Sequence, residues 1–193
     1  EYKLAIKDFF DPLLEITGLS KDRLFIVPGN HDVDRAKITD ETRESMLGLL
    51  EDRDAITQFL SQEDSNERKS VFDKFNGYTE FINRYFEGHV TFNETNHFFI
   101  RFLSIQGYKI AILGLNSAWM CGYGRGFRNR VFDQGHLLVG EFQLEEALDR
   151  SKDADLRIAV IHHPLNWLYE PEYYLIKKRL EAECDFLLHG HIH

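Results

Sequence analysis

The chain has 193 residues, of which 43% are hydrophobic, and it includes 16 Phe and 8 Tyr. This length and composition predict one globular domain with a sizeable core; they exclude a disordered chain, and no apolar run is long enough for a transmembrane helix. The formal net charge of −9 at pH 7 argues against attraction of the whole surface to nucleic acid, although it leaves room for a local basic groove.

The first two predicted elements are a helix and a short strand. Apolar residues recur at roughly helical spacing across residues 2–16, and Gly18 is placed to end that helix. Residues 24–27 form an apolar, β-branched run that predicts a buried strand. Pro28 and Gly29 then stop the strand, because proline lacks a backbone donor and glycine permits a sharp turn.

Residues 36–88 are predicted to be mainly helical. Aromatic and aliphatic residues recur there in steps of three and four, from Phe59 to Phe86. The highly charged stretch at 61–70 indicates a solvated link between helices. We therefore expect two or three helices that form an insertion capping a site, with helices packed on a sheet far from any site as the alternative.

The second half of the chain predicts strands that alternate with helices, which is typical of an α/β fold. A hairpin is expected where two apolar runs are joined by Gln106 and Gly107, a short turn signal. The predicted strands are 97–105, 108–115, 156–161 and the apolar run that begins at Phe186, and the predicted helices are 140–150 and 171–184.

Three predicted strands end in side chains that carry metal-binding atoms. A His-X-His pair on an extended backbone places both imidazoles on one side, because side chains alternate with a period of two. Imidazole nitrogen and amide oxygen together suit zinc, manganese, iron or nickel. The residues that follow the three strands are Asn30, His31 and Asp32; His162 and His163; and His191 and His193.

These three blocks resemble the calcineurin-like metallophosphoesterases. The sequences Gly29-Asn30-His31-Asp32, His162-His163-Pro164 and Gly190-His191-Ile192-His193 are similar, in the same order, to the last three motifs of that family. The resemblance implies a layered α/β sandwich of two mixed β-sheets flanked by helices. It also implies a phosphodiesterase or phosphatase that uses two divalent ions (Mn, Fe, Zn or Ni), with a hydroxide bridging them as the nucleophile.

The resemblance further implies a role for each matching residue. His31 would face the leaving group, either as a general acid or as a cation that stabilises the transition state. Asp32 would orient an imidazole or fix the turn. The implied metal ligands are Asn30, His162 and His191 for one ion, and His193 for the other.

Substrate contacts are predicted from His163 and from a glycine-rich loop after the strand at 108–115. Arg125, Arg128 and Arg130 in that loop are expected to clamp phosphate bidentately, with exposed arginines that lack this role as the alternative. His163 is expected to donate to substrate or solvent, with a simple turn residue as the alternative. The predicted partner is thus a phosphoester, which includes nucleotides and nucleic acids.

Two motifs of the family, Asp-X-His and Gly-Asp-X-X-Asp, do not occur upstream of Gly29. The expectation is a single metallophosphoesterase domain over residues 1–193, incomplete at both ends, poorly active alone and part of a larger polypeptide. The alternatives are a nuclease of the same fold and a catalytically degenerate scaffold that binds a protein partner. Cys121 and Cys184 do not make a disulfide framework, so a reducing, cytoplasmic location is predicted.

Overall fold

A mixed four-stranded β-sheet forms the centre of the molecule. The computed structural model describes residues 1–86, 98–126 and 131–192. In spatial order the strands are β1 Phe99–Ile105, β2 Tyr108–Leu115, β3 Leu156–Ile161 and β4 Phe186–His189. β1 pairs antiparallel with β2, whereas β2, β3 and β4 are parallel. The predicted α/β class is confirmed; the described ranges contain this one sheet and not the two of the predicted sandwich.

The predicted hairpin joins β1 to β2. Gln106 and Gly107 both have positive φ angles, 52° and 88°, as the tight turn of a two-residue hairpin requires. The predicted first strand included residue 97, which lies outside the described residues. Residues 111–115 of β2 are all buried, as expected for a strand covered on both faces.

Two helices cover one face of the sheet, and both were predicted. They are α7 Glu141–Arg150 and α8 Glu170–Glu183. Leu144 of α7 and Ile176 of α8 are fully buried in the same core as Leu113 of β2 and Ile161 of β3. Because every crossover between parallel strands must return over the sheet, these helices lie where a βαβ connection places them.

Four helices occupy the region predicted as two or three: α3 Asp40–Leu49, α4 Arg53–Ser61, α5 Asn66–Phe72 and α6 Asn76–Tyr85. The aromatic rings of Phe59 and Phe72 stack on Trp119, with centroids 5.8 and 6.4 Å apart. The predicted solvated link at 61–70 is wrong in its second half, because Ser65 caps α5 by accepting from the backbone N–H of Arg68 at 3.5 Å. The stretch is nevertheless solvated as predicted, because Arg68 is the only buried residue within 61–70.

The N-terminal helix runs through residues 2–17 with a change of winding. It consists of α1 Tyr2–Ala5, a π-helical segment Ile6–Phe10 and α2 Asp11–Thr17. Pro12 lacks the N–H that an uninterrupted α-helix would use, and such a residue favours a local change of winding. Gly18 ends the helix at φ 64°, as predicted. The helix packs against Phe81 and Tyr85 of α6.

The buried strand predicted at residues 24–27 is wrong. The backbone is extended at Leu24 (φ −92°, ψ 134°), but the segment is only partly buried and forms no ladder with the described strands. Side chains bind its carbonyls instead: Arg101 Nη1 donates to Leu24 O at 3.1 Å, and Tyr78 Oη donates to Ile26 O at 2.9 Å. These hydrogen bonds replace part of what a neighbouring strand would supply.

The carboxylate of Glu172 joins α8 to the start of α7. Its oxygens accept from the backbone N–H groups of Val139 at 2.9 Å and Gly140 at 2.5 Å. Burial raises the pKa of Glu172 to about 7, against an ordinary value of 4.5, although the two N–H groups oppose the shift. Because the folded pKa is the higher one, this group stabilises the fold fully below pH 4.5, and that contribution is lost as the pH rises through about 7.

We therefore expect Glu172→Gln to flatten the dependence of stability on pH between about 5 and 8. The measurement is the urea midpoint of wild type and variant at both pH values. Glu170→Gln, an exposed glutamate in the same helical turn, is the matched control and should keep the wild-type slope. Equal slopes in all three proteins would contradict the role assigned to Glu172.

Candidate metal centre

A tight turn holds the first predicted metal ligand. Asn30–Asp32 form a single 3₁₀ turn. The Asp32 carboxylate accepts from the backbone N–H of Gly29 at 2.7 Å, and the backbone N–H of Asp32 donates to Gly29 O at 3.1 Å. These two bonds close the turn around Asn30, whose Oδ1 lies 3.0 Å from Nε2 of His162.

The sheet brings the two histidine ligands together. β3 and β4 are parallel neighbours, so their carboxyl ends meet at one edge, with Ile161 opposite His189. His162 directly follows β3, and its carbonyl accepts from the N–H of Gly190 at 3.0 Å. His191 adopts φ 72°, a left-handed conformation that is uncommon without glycine. Its Nδ1 lies 3.2 Å from Nε2 of His162.

The spacing of these three atoms fits a shared metal ion. Two ligand atoms at about 2.0–2.2 Å from one ion, at tetrahedral or octahedral angles, lie about 2.8–3.6 Å apart. The distances from His162 Nε2 to Asn30 Oδ1 and to His191 Nδ1, 3.0 and 3.2 Å, fall in that range. Two imidazoles and an amide oxygen suit a borderline divalent ion. His193, the predicted ligand of a second ion, lies outside the described residues.

Gly29 allows His162 to lie directly against the turn. A Cβ added at Gly29 would come within 2.8 Å of two atoms of the His162 ring, a separation that real Cβ atoms do not show. The backbone at Gly29 has φ −115°, which any residue adopts, so the requirement for glycine here is steric and not conformational. The turn and the His162 ring therefore form one packed unit.

The ring of His163 packs beside the rings of His162 and His191, with centroids 4.6 and 4.7 Å away. It is fully buried; its Nδ1 lies 2.9 Å from Ser117 Oγ and its Nε2 lies 3.6 Å from Cys121 Sγ. Its ring is near enough to His162 and His191 for the three to form a possible ligand group, but both of its ring nitrogens face these other partners. Burial, followed by the nearby His162 and His191, lowers the pKa of His163 to about 3, so the ring stays neutral. Substrate contact by His163 stays a prediction, which this burial does not favour.

Lys74 contacts both the segment that follows the turn and the buried loop that contains Ser117 and Cys121. The Lys74 ammonium donates to Trp119 O at 2.6 Å and to Cys121 O at 3.1 Å, and it lies 3.9 Å from the centre of the Tyr123 ring. The carbonyl of Lys74 accepts from the N–H of Asp34 at 2.9 Å. One buried residue thus contacts both the segment after Asp32 and the loop below His163.

The remaining predicted site residues lie at the surface or outside the described residues. His31 is exposed on the same turn as Asn30, and its predicted role toward the leaving group stays a prediction. Arg125 is exposed, and its Nη2 lies 3.9 Å from carboxylate oxygens of both Asp40 and Glu44. Arg128 and Arg130 lie outside the described residues. Substrate binding by these three arginines stays a prediction.

Three residues near the centre were not predicted. The ring of Trp167 meets the ring of His191 edge to face with centroids 4.2 Å apart, and Tyr2 Oη donates to Asp32 Oδ1 at 2.6 Å. Nothing in the sequence indicates either contact. Ser117 was detectable in principle, because it is the second residue after β2, at the edge where His162 follows β3.

Comparison with known proteins agrees with this arrangement. The family model described as calcineurin-like phosphoesterase matches residues 1–193. The chain is 26% identical over 200 residues to an uncharacterized metallophosphoesterase-like protein, YydB, of Bacillus subtilis (strain 168). That alignment covers 100% of this chain and 38% of the relative, so the chain spans well under half of the relative's length. No solved structure matches the chain. On the match over its whole length, the chain belongs to the calcineurin-like phosphoesterase family.

Proposed function

We propose that the protein carrying this chain is a phosphodiesterase or phosphatase that works with two divalent metal ions. Family membership implies metal-dependent hydrolysis of phosphoester bonds. The observation that carries the proposal is the convergence of Asn30 Oδ1, His162 Nε2 and His191 Nδ1 at 3.0–3.2 Å from residues far apart in sequence. A scaffold without metal would have no need to bring these three polar groups together in a partly buried place.

Each residue of the centre then has a defined task. Asn30, His162 and His191 bind one ion, and we assign His193 to a second. Bound divalent ions would neutralise charge on the phosphoryl oxygens and make a water molecule more acidic. His31, exposed beside Asn30, donates a proton to the leaving oxygen or stabilises the charge on the phosphoryl group in the transition state. Asp32 fixes the turn that carries both residues.

The rest of the chain supports a compact platform for this chemistry. α3, α4 and α5 share one hydrophobic core with β2, β3, α7 and α8, and we therefore propose that residues 1–193 form one domain. Within the described ranges, no helix combines the length and apolar character needed to cross a bilayer. Cys121 and Cys184 are both free thiols, which supports the proposed cytoplasmic setting.

The test is metal binding by equilibrium dialysis of the whole protein against Ni²⁺. His162→Ala should weaken the affinity by about 100-fold or more, because it removes the proposed ligand atom that lies 3.0 Å from Asn30 Oδ1 and 3.2 Å from His191 Nδ1. His136→Ala is the matched control: the His136 ring lies 3.2 Å from Gln134 O and is not among the proposed ligands, so the variant should bind as wild type does. Equal affinity in His162→Ala and wild type would overturn the proposed site.

A further inference from the structure

Resting on the proposed metal centre, we propose that Tyr2 is a positioning residue for that centre, acting through Asp32. The Tyr2 hydroxyl donates to Asp32 Oδ1 at 2.6 Å, while Asp32 Oδ2 accepts from the backbone N–H of Gly29 at 2.7 Å. One carboxylate therefore connects helix α1 to the turn that presents Asn30. Hydrogen bonds to a charged carboxylate are the stronger kind, so this bridge restrains the turn at both oxygens.

The donor is itself held in place. The Tyr2 ring stacks on Phe81 of α6 with centroids 4.5 Å apart and planes 2° from parallel. Burial, the hydrogen bond to Asp32 and the charge of that carboxylate all raise the pKa of Tyr2, so the hydroxyl remains a donor. The phenol therefore offers Asp32 a fixed partner that a mobile surface side chain would not.

The hydrogen bonds of Asp32 to Tyr2 and Gly29 affect the proposed ligands through the turn and through its packing on His162. Asp32 closes the turn on Gly29, and the Gly29 backbone lies against the ring of His162, where an added Cβ would be only 2.8 Å from ring atoms. The same turn aims Asn30 Oδ1 at His162 Nε2, 3.0 Å away. Without the phenol, Asp32 Oδ1 loses its partner in α1 and the carboxylate can rotate away from Gly29. The Asn30 side chain then spends less time in the position that binds an ion.

A purely structural role for Tyr2 is the competing explanation, and Tyr78 separates the two. Tyr78 belongs to the same aromatic cluster, packs on Phe81 with centroids 6.4 Å apart and donates to a backbone carbonyl, Ile26 O, at 2.9 Å. Its hydroxyl thus supports the segment before Pro28 through a backbone carbonyl, whereas the Tyr2 hydroxyl donates to the Asp32 carboxylate itself. Tyr2→Phe and Tyr78→Phe each remove one phenol hydroxyl from the aromatic cluster around Phe81.

The experiment measures the Ni²⁺ dissociation constant and the melting temperature of the whole protein. Tyr2→Phe is expected to raise the dissociation constant by about tenfold, at the lower end of the range for residues that support metal ligands. Tyr78→Phe should lower the melting temperature with an unchanged dissociation constant. Adding Tyr2→Phe to Asp32→Asn should have no further effect on affinity, because both changes break the same bridge.

Three outcomes would overturn the assignment of Tyr2: an unchanged affinity in Tyr2→Phe, an equal loss in Tyr2→Phe and Tyr78→Phe, or additive losses in the double variant. Failure of the proposed function is distinguishable from these results. A wild-type protein that binds no Ni²⁺, and whose affinity for Zn²⁺ or Mn²⁺ is likewise undetectable, would remove the metal centre and the positioning role together.

Discussion

His31→Ala is expected to lower phosphoester turnover by about 10²–10⁴-fold while the affinity for metal stays near the wild-type value. The physical reason is placement: His31 is exposed on the turn, whereas the ligand contacts at 3.0 and 3.2 Å are made by its neighbour Asn30 and by His162 and His191. An imidazole beside the bound ester but outside the ligand set affects proton transfer or charge and leaves metal binding intact.

The choice of substrate separates the two roles open to His31. If the imidazole protonates the leaving oxygen, the loss of turnover should be far larger for an alkyl phosphate ester than for a p-nitrophenyl ester, whose leaving group needs no proton. If it stabilises charge on the phosphoryl group, the two losses should be similar. His191→Ala is the comparison variant and should lose metal as well as turnover. Equal loss of metal in both variants would make His31 a ligand and refute its assigned role.

Gly29→Ala should weaken metal binding by at least about tenfold and lower stability by about 1–3 kcal/mol. The added methyl would lie 2.8 Å from the His162 ring, so either the ring or the turn must move. His162 has little freedom to do so, because its Nε2 is already 3.0 Å from Asn30 and 3.2 Å from His191. The measurements are urea unfolding and equilibrium dialysis against Ni²⁺.

Gly48→Ala provides the matched control for that substitution. Gly48 lies within α3, and a Cβ added there meets no atom within 4 Å. Alanine is also the better helix former, so this variant should be as stable as wild type or slightly more stable, with unchanged metal affinity. If Gly29→Ala behaved in the same way as Gly48→Ala, the close packing of the turn on His162 would not be a requirement of the site.

The sequence predicted well those elements whose conformation depends mainly on the pattern of their own side chains. Apolar residues at helical spacing indicated α7 and α8 because both helices bury one face against the sheet. The turn residues Gln106 and Gly107 identified the β1–β2 hairpin. Residues 24–27 have an equally strand-like composition, yet a strand needs a partner. In the described structure, the guanidinium of Arg101 and the hydroxyl of Tyr78 bind the carbonyls of Leu24 and Ile26, and no local pattern reveals such distant side chains.

The same distinction holds at the metal centre. His162 and His191 were predicted because a parallel sheet gathers the ends of its strands at one edge. Asn30 was predicted at the end of a strand that residues 24–27 do not form, and the turn closed by Asp32 brings its Oδ1 to His162 instead. Tyr2 and Trp167 were missed because each reaches the centre from the side through one packed contact, which depends on the finished fold. The burial of His163 was missed for a related reason: its partners Ser117 and Cys121 lie on a different loop.

The distance along the chain between the metal ligands has a thermodynamic consequence. Asn30 and His162 are 132 residues apart, and His162 and His191 are 29 residues apart, so the entropy of closing both loops makes it rare for the denatured ensemble to present all three proposed ligands at once. An ion held by the three residues would bind the native state almost exclusively. Each tenfold rise of free metal above its dissociation constant would then add about 1.4 kcal/mol to the free energy of unfolding. Removing the ion with a chelator would therefore shift the folding equilibrium toward the unfolded state, as a denaturant does.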